Sequence, residues 1–280
     1  MIREFNIEDK EQLVKIVKQG IVIKEEDINY INGKNIKIIV YDDNETGLLG
    51  FSSFKIWGKH NADVYTYVVP SSRRKGIGTQ LYNEIMKNVD DINIEFVNTR
   101  IKVDKDDATS FYKRLGYENW YVDLNLYYHG PKQPKSDLKF VPYEDKYFKQ
   151  YADGLRTSFY ELRKTNDFQP YLCCELNGEK RKEFLDNKDN LFLLLDNEKL
   201  IASVIVYNNG IIDDVYVLPS YQGKGYGKKT MQFAINKTIE NGSSHTSLGA
   251  IDWNIRALNL YQSLGFDIVQ TTQCYRLFKV

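Results

Sequence analysis

Cysteine is scarce in this chain of 280 residues: Cys173, Cys174 and Cys274 are all it has. No CxxC pair occurs, and an odd count makes a poor disulfide framework. Adjacent Cys173 and Cys174 read as plain buried or half-buried thiols, and a reducing cytoplasm fits. An excess of one charge sign is also missing. Lysine plus arginine number 38, aspartate plus glutamate number 38, and the formal net charge is zero. A nucleic-acid binder ordinarily carries a basic surplus, so nucleic acid is not expected as the main partner. No run approaches the roughly 18 uncharged apolar residues of a membrane span. Met1-Ile2-Arg3-Glu4-Phe5 places charges where a signal peptide needs apolar residues. His60, His129 and His245 lie outside every motif and read as surface residues. No His/Cys/Asp cluster has ligand spacing, so no metal is expected.

What the chain does contain is a repeat. Tyr67-Val68-Val69-Pro70-Ser71 returns 149 residues later as Tyr216-Val217-Leu218-Pro219-Ser220. Gly76 and Gly78 return as Gly225 and Gly227 at the same offset. So do Ala108 and Ala257, Tyr112 and Tyr261, and Gly116 and Gly265. A fixed offset across separated features implies a duplicated domain. The length agrees, at roughly 100–200 residues per domain. Between the copies, 129–137 is polar with two prolines and a glycine, and reads as a linker. The domains are therefore placed at 1–130 and 138–280.

Each copy has the same order of elements. The first opens with a strand near Ile2–Phe5. A helix follows with Leu13, Ile16 and Val17 on one face and a stop at Gly20. Ile36–Tyr41 and Leu48–Ile56 read as a hairpin, and Asp63–Val69 as a further strand closed by Pro70. A helix begins after Gly78, with Tyr82, Ile85, Met86 and Val89 at i, i+3, i+4 and i+7. Ile92–Thr99, Ala108–Leu115 and Trp120–Tyr128 read as strand, short helix and closing strand. In the second copy Leu138–Val141, a helix from about Glu144, Leu191–Leu195, Leu200–Tyr207 and Ile211–Leu218 take the corresponding places. The second copy spends more residues before its hairpin, adding Tyr151, Phe159, Tyr160, Phe168 and Tyr171.

Arg73-Arg74-Lys75-Gly76-Ile77-Gly78 and Gln222-Gly223-Lys224-Gly225-Tyr226-Gly227 each follow a strand and open a helix. Glycine lets the backbone approach a ligand and adopt turns that other residues avoid. Free amides at a helix start favour a pyrophosphate. A dinucleotide GxGxxG and a Walker A loop both fail to fit, because Lys228 and Lys229 break the patterns.

With these residues in view, the chain resembles the Gcn5-related N-acetyltransferase (GNAT) superfamily. Its central pattern is (Gln/Arg)-x-x-Gly-x-(Gly/Ala), matched by Arg73–Gly78 and Gln222–Gly227. A later pattern, Asn-x-x-Ala-x-x-x-Tyr-x-x-x-Gly-Phe, is matched by Asn254, Ala257, Tyr261, Gly265 and Phe266. The first copy has Lys105 in place of the asparagine and Tyr117 in place of the phenylalanine.

The resemblance implies an α/β (α+β) chain of two tandem domains. Each would have a mixed, mostly antiparallel central sheet flanked by helices. It implies acetyl-CoA as acyl donor, lying where a bulge splays the fourth strand from the fifth. Backbone contacts map to Val215, Tyr216 and Val217. Pyrophosphate contacts map to Gln222, Gly223 and Lys224, then Gly225, Tyr226, Gly227 and Lys228. In the first copy the matching groups are Thr66, Tyr67 and Val68, then Arg74, Lys75 and Gly76, then Ile77, Gly78 and Thr79. Asn254 would hold the cofactor arm, and Tyr261 would be the general acid.

The base is less determined. Gly249 stands where some relatives carry glutamate, which leaves Asp213 and Asp214. Strand alternation puts Asp213 on the side of Val215 and Val217, and a water relay is an alternative. The second copy is expected to be the catalytic one, acting on an amine of a small molecule or peptide. A non-catalytic acyl-CoA-binding or regulatory module is the other reading. A monomeric pseudo-dimer and a homodimer are both compatible with two fused copies.

Overall fold

A computed structural model describes residues 1–19, 36–43, 45–57, 61–90, 94–103 and 108–279. Gly20, His60 and Lys105 lie outside the described residues. The chain divides into two compact units. One comprises Met1–Val122 with Thr271–Val280, and the other Asp123–Gln270.

The first unit is a twisted sheet faced by helices. Strands β1 (Ile2–Glu4), β2 (Ile36–Asp43), β3 (Gly47–Trp57) and β4 (Asn61–Val68) pair antiparallel in sequence. β5 (Phe96–Lys102) then joins β4 in parallel, and β12 (Asp267–Phe278) pairs antiparallel with β5. Helix α1 (Lys10–Gln19) buries Leu13 and Ile16. Arg3 fastens this edge, donating to both Asp9 oxygens at 2.6 and 2.8 Å and to Asp42 at 2.6 and 2.9 Å. Helix α2 (Ile77–Asp90) carries the expected apolar stripe, and Tyr82, Ile85 and Val89 are buried. Helix α3 (Thr109–Arg114) closes the unit with Tyr112 in its core.

The second unit repeats the plan with more helix. β7 (Phe140–Pro142), β8 (Leu191–Asp196), β9 (Lys199–Val206) and β10 (Ile212–Val217) form an antiparallel sheet. β11 (Thr246–Ile251) pairs antiparallel with β6 (Glu118–Tyr128). A long helix α4 (Phe148–Thr165) and an extra helix α5 (Gly178–Asp186) fill the segment that is longer in the second copy. α5 was not foreseen, because its charged stretch shows no apolar period. Helix α6 (Tyr226–Glu240) buries Met231, Ala234, Ile235 and Thr238, and helix α7 (Ile255–Ser263) places Tyr261 inward. No helix among the described residues is long and apolar enough to cross a membrane.

The compact units differ from the sequence copies 1–130 and 138–280 by an exchange of closing strands. β12, from the end of the second copy, completes the first unit's sheet, from Thr272↔Lys102 to Phe278↔Phe96. Tyr275 of β12 enters the same core as Tyr112 and Ile101. The Asp123–Tyr128 part of β6, from the first copy, completes the second unit, from Ile251↔Asp123 to Thr246↔Tyr128. Residues 129–137 are not a loose tether. Gln133 exchanges backbone hydrogen bonds with the Asn236 side chain at 2.8 and 3.0 Å, and Lys229 holds Asp137 at 2.6 Å.

The exchange makes a prediction. A buried large side chain contributes roughly 1.5–3 kcal/mol, against a total stability of about 5–15 kcal/mol. Residues 1–130 expressed alone lose β12, and with it Tyr275, Cys274 and a full ladder. They should melt without a cooperative transition and regain one when coexpressed with 138–280. A sharp, independent melt of 1–130 in calorimetry would contradict the exchange.

Candidate active site

The two glycine turns have one construction. The chain leaves β4 or β10, makes a short 3-10 turn (Pro70–Ser72; Pro219–Tyr221) and enters α2 or α6. Arg73 Nε donates to the Val68 carbonyl at 2.9 Å, and Gln222 Nε2 donates to the Val217 carbonyl at 3.0 Å. These equivalent bonds explain why Arg or Gln serves at this position: both reach back with an N–H donor. Gly76, Gly223 and Gly225 sit at φ 79°, 78° and 83°, where a side chain would be strained. A Cβ on Gly223 or Gly225 would project into open space. Glycine is therefore used there for conformation and for approach from outside, not to relieve crowding. Gly225 caps α6 without any side-chain hydrogen bond, leaving the first-turn amides to an external acceptor. At Gly227 a Cβ would meet Leu260 at 3.4 Å, so this position serves helix packing. Arg256 of α7 donates to Gln222 Oε1 at 2.6 Å and ties the turn to the helix that carries Tyr261.

In the first unit β4 and β5 pair only from Asn61↔Phe96 to Asp63↔Asn98 and then part. The gap is a cleft of roughly 310 Å³. Thr66, Tyr67 and Val68 line one wall, and Arg74, Gly76, Ile77, Gly78 and Thr79 line its end; Lys75 is not part of the lining. Arg73, Arg74, Arg100, Lys102 and Arg114 make it strongly basic, with no acidic side chain among the described lining residues. The β3–β4 ladder keeps one register throughout, without a bulge. Tyr112 is fully buried, and its hydroxyl accepts the Thr66 amide N–H at 2.9 Å. Burial raises the Tyr112 phenol pKa, more than the bond from Thr66 lowers it.

The second unit differs at this point. The β9–β10 register shifts between Asp213↔Ile205 and Tyr216↔Ser203, so two residues of β10 oppose one of β9. Asp214 sits in this bulge at φ 44°. The left-handed region is unusual for a residue with a Cβ, and Asp is among the few that tolerate it. β10 and β11 meet only at the parallel bridge Ile211↔Ser247 and then separate around a cavity of roughly 320 Å³.

Asp213, Asp214, Val215, Asn254 and Tyr261 all line that cavity. Tyr216 does not: its ring is buried against Tyr151, and its hydroxyl donates to the Tyr151 carbonyl at 3.1 Å. The bulge also breaks the alternation used to favour Asp213, because the strand face switches within Asp213–Tyr216. Asp213 is exposed and accepts the Asp214 amide N–H at 2.8 Å. Asp214 is pushed up to about 6, first by burial and then by the Asp213 charge. Tyr261 is pushed up to about 12, chiefly by burial. Its hydroxyl makes no hydrogen bond among the described residues, in contrast to Tyr112. Asn254 Oδ1 caps α7 by accepting the Ala257 amide at 3.3 Å. Of the aromatics in the longer segment, Phe159 and Phe168 line the cavity, whereas Tyr151 is core. Sequence reasoning missed Trp253, Lys180 and Glu183, which also line it. Lys180 and Glu183 share α5, one turn apart, and Trp253 comes from the distant turn between β11 and α7; no local pattern marks them.

Comparison with known proteins gives the site its setting. Residues 148–266 match the family described as "Acetyltransferase (GNAT) family", and residues 34–119 match "Acetyltransferase (GNAT) domain". The thialysine N-epsilon-acetyltransferase of Mus musculus is 39% identical over 79 residues, 28% of this chain and 46% of that protein. The L-ornithine N5-acetyltransferase NATA1 of Arabidopsis thaliana is 25% identical over 122 residues, 40% of this chain and 52% of that protein. The chain thus spans about half the length of the curated relatives it matches. A GCN5-related N-acetyltransferase from Sphaerobacter thermophilus superposes with TM-score 0.76 at 13% identity, covering 99% of this chain and 95% of that one. A tandem GNAT protein from the clavulanic acid biosynthesis pathway does so with TM-score 0.64 at 11% identity, covering 99% and 98%. These likenesses agree with the two glycine turns and the two splayed sheets: the chain belongs to the GNAT acetyltransferase family and carries two of its domains in tandem.

Proposed function

We propose that the protein is an N-acetyltransferase that moves an acetyl group from acetyl-CoA to an amine, with the chemistry in the second unit. One observation carries the reading: Asp214 on the bulge and an unpartnered Tyr261 hydroxyl line the same cavity, in the gap beside β10. The relatives named for the N-epsilon of thialysine and the N5 of ornithine support an amine acceptor.

The donor fits the residues present. Gly223 and Gly225 leave the turn open to a pyrophosphate, the α6 amides are uncapped, and Lys224 and Lys228 add positive charge. Gln222 and Tyr226 frame that turn. The acyl arm would lie along Val215, Tyr216 and Val217, with Asn254 at the adjoining helix start. A backbone amide of this strand would then polarise the thioester carbonyl.

The amine nitrogen attacks the carbonyl carbon and forms the C–N bond. The tetrahedral adduct collapses by breaking the C–S bond, giving an amide and a thiol. Asp214 takes the nitrogen's proton, a role suited to a carboxyl held near neutrality rather than near 4. Tyr261 stays protonated at working pH and donates to the sulfur as charge develops there. Solvent exchange resets both groups. Asp214 therefore replaces Asp213 as the proposed base.

The first unit reads differently. Its cradle residues (Thr66, Tyr67, Val68, and Arg74 through Thr79) and its basic cleft suit the same donor. The Tyr112 hydroxyl, however, is fully buried and engaged by the Thr66 amide, whereas the Tyr261 hydroxyl makes no hydrogen bond among the described residues. Binding without transfer is the reading for that unit.

Two expectations test this assignment. Asp214→Asn keeps a residue that tolerates positive φ and removes a desolvated carboxylate. It should lower kcat by about 10²–10⁴-fold with an unchanged or higher Tm. Asp214 must be ionised to act, so wild-type kcat/KM should fall as pH drops through about 6. A variant that keeps that limb of the pH–rate profile would refute the role. Separately, Gly225→Glu sets bulk and negative charge against the pyrophosphate and should remove nearly all transfer, while Gly76→Glu costs less. Steady-state kinetics with acetyl-CoA showing the reverse order would place the chemistry in the other unit.

A further inference from the structure

The acceptor cavity of the second unit has a charge pattern that sorts amines. Four carboxylates line it: Asp123, Glu183, Asp213 and Asp214. Two cations line it, Arg163 and Lys180, and both are committed. Arg163 donates to the Pro170 carbonyl at 2.7 Å and the Gln169 carbonyl at 3.2 Å, and it stacks over Phe168 at 4.5 Å. Lys180 binds both oxygens of Glu183 at 3.0 and 2.7 Å. Asp213 and Asp214 form no ion pair with a cation among the described residues. Their mutual repulsion contributes to the raised Asp214 pKa, second to burial. Phe168 and Trp253 stand edge to face at 5.9 Å in the same lining, a surface that suits cationic amines and their methylene chains. Tyr261 is an independent sign that the cavity takes a polar ligand. It is 8% exposed, lines the cavity, and has no hydrogen-bond partner among the described residues.

We propose that the acceptor is a di- or polyamine: an amine bearing at least two positive charges and no carboxylate. This rests on reading the cavity as the acceptor side of an acetyltransferase. One nitrogen, deprotonated on entry, faces Asp214 and the thioester. The second remains an ammonium and pairs with Asp213, relieving the repulsion between the adjacent carboxylates. An amino acid of equal chain length would bring its carboxylate into a cavity with a surplus of negative charge. Both cations there would have to abandon their present partners to receive it, and like-charge juxtaposition of this kind opposes binding.

Matched acceptors test the idea on the whole protein. Cadaverine and lysine differ by one carboxylate; cadaverine and pentylamine differ by one ammonium. With acetyl-CoA as donor, kcat/KM for cadaverine should exceed that for each of the other two by tenfold or more. Asp213→Asn should shrink the advantage over pentylamine toward one. Glu183→Gln, which releases Lys180, should shrink the advantage over lysine. Lysine matching or beating cadaverine overturns the proposal, as does pentylamine matching it. Calorimetric titration of the same amines into protein saturated with CoA separates this from the transferase reading. Cadaverine binding without transfer, with lysine not binding, upholds the cavity's preference and counts against catalysis. No preference in binding or in rate sinks the proposal itself.

Discussion

One residue in a left-handed conformation shapes the cavity of the second unit. Asp214, at φ 44°, inserts an extra position into β10 and shifts its register against β9. A strand in regular register would place successive side chains on opposite faces. The bulge cancels that alternation locally, so Asp213, Asp214 and Val215 all reach one cavity. The same distortion places a carboxylate where water is partly excluded, and the exclusion raises its pKa to about 6. Backbone strain, desolvation and a titration near neutrality are here one feature seen at three levels.

The duplicated unit shows what happens without it. β4 runs in unbroken register along β3, and Tyr112 caps the Thr66 amide. Both units keep the turn geometry down to the equivalent Arg73 and Gln222 hydrogen bonds. They diverge in the lining of the gap: five basic side chains in the first unit, against four carboxylates and two committed cations in the second. A basic cleft suits the phosphates of a donor, and an acidic cavity suits an amine. Duplication has retained the glycine turn twice, while the linings of the two gaps have come to differ in charge.

Much of this was legible in the residues themselves. The glycine turns announced themselves because positive φ at Gly76 and Gly225 favours glycine in both copies, and the 149-residue offset doubled the signal; at the place of Gly223 the first unit has Arg74, at φ 63°. The apolar faces of α2 and α6 followed from helical period. The strand exchange was not legible. β6 and β12 carry interchangeable patterns, and nothing in a strand's own residues says which copy it will pair with. The bulge was hidden for another reason: it falls on aspartate instead of glycine. The cavity lining of the second unit escaped because α5, with Lys180 and Glu183, meets Trp253 from a distant part of the chain.

Every role proposed for the second unit requires transfer to occur at the bulged strand. A crystal structure with bound CoA and an amine acceptor tests it most directly. The CoA sulfur should lie within hydrogen-bonding reach of the Tyr261 hydroxyl, and the acceptor nitrogen beside the Asp214 carboxylate. A sulfur and acceptor seated together in the first unit's cleft, with Tyr112 withdrawn from Thr66, would contradict it.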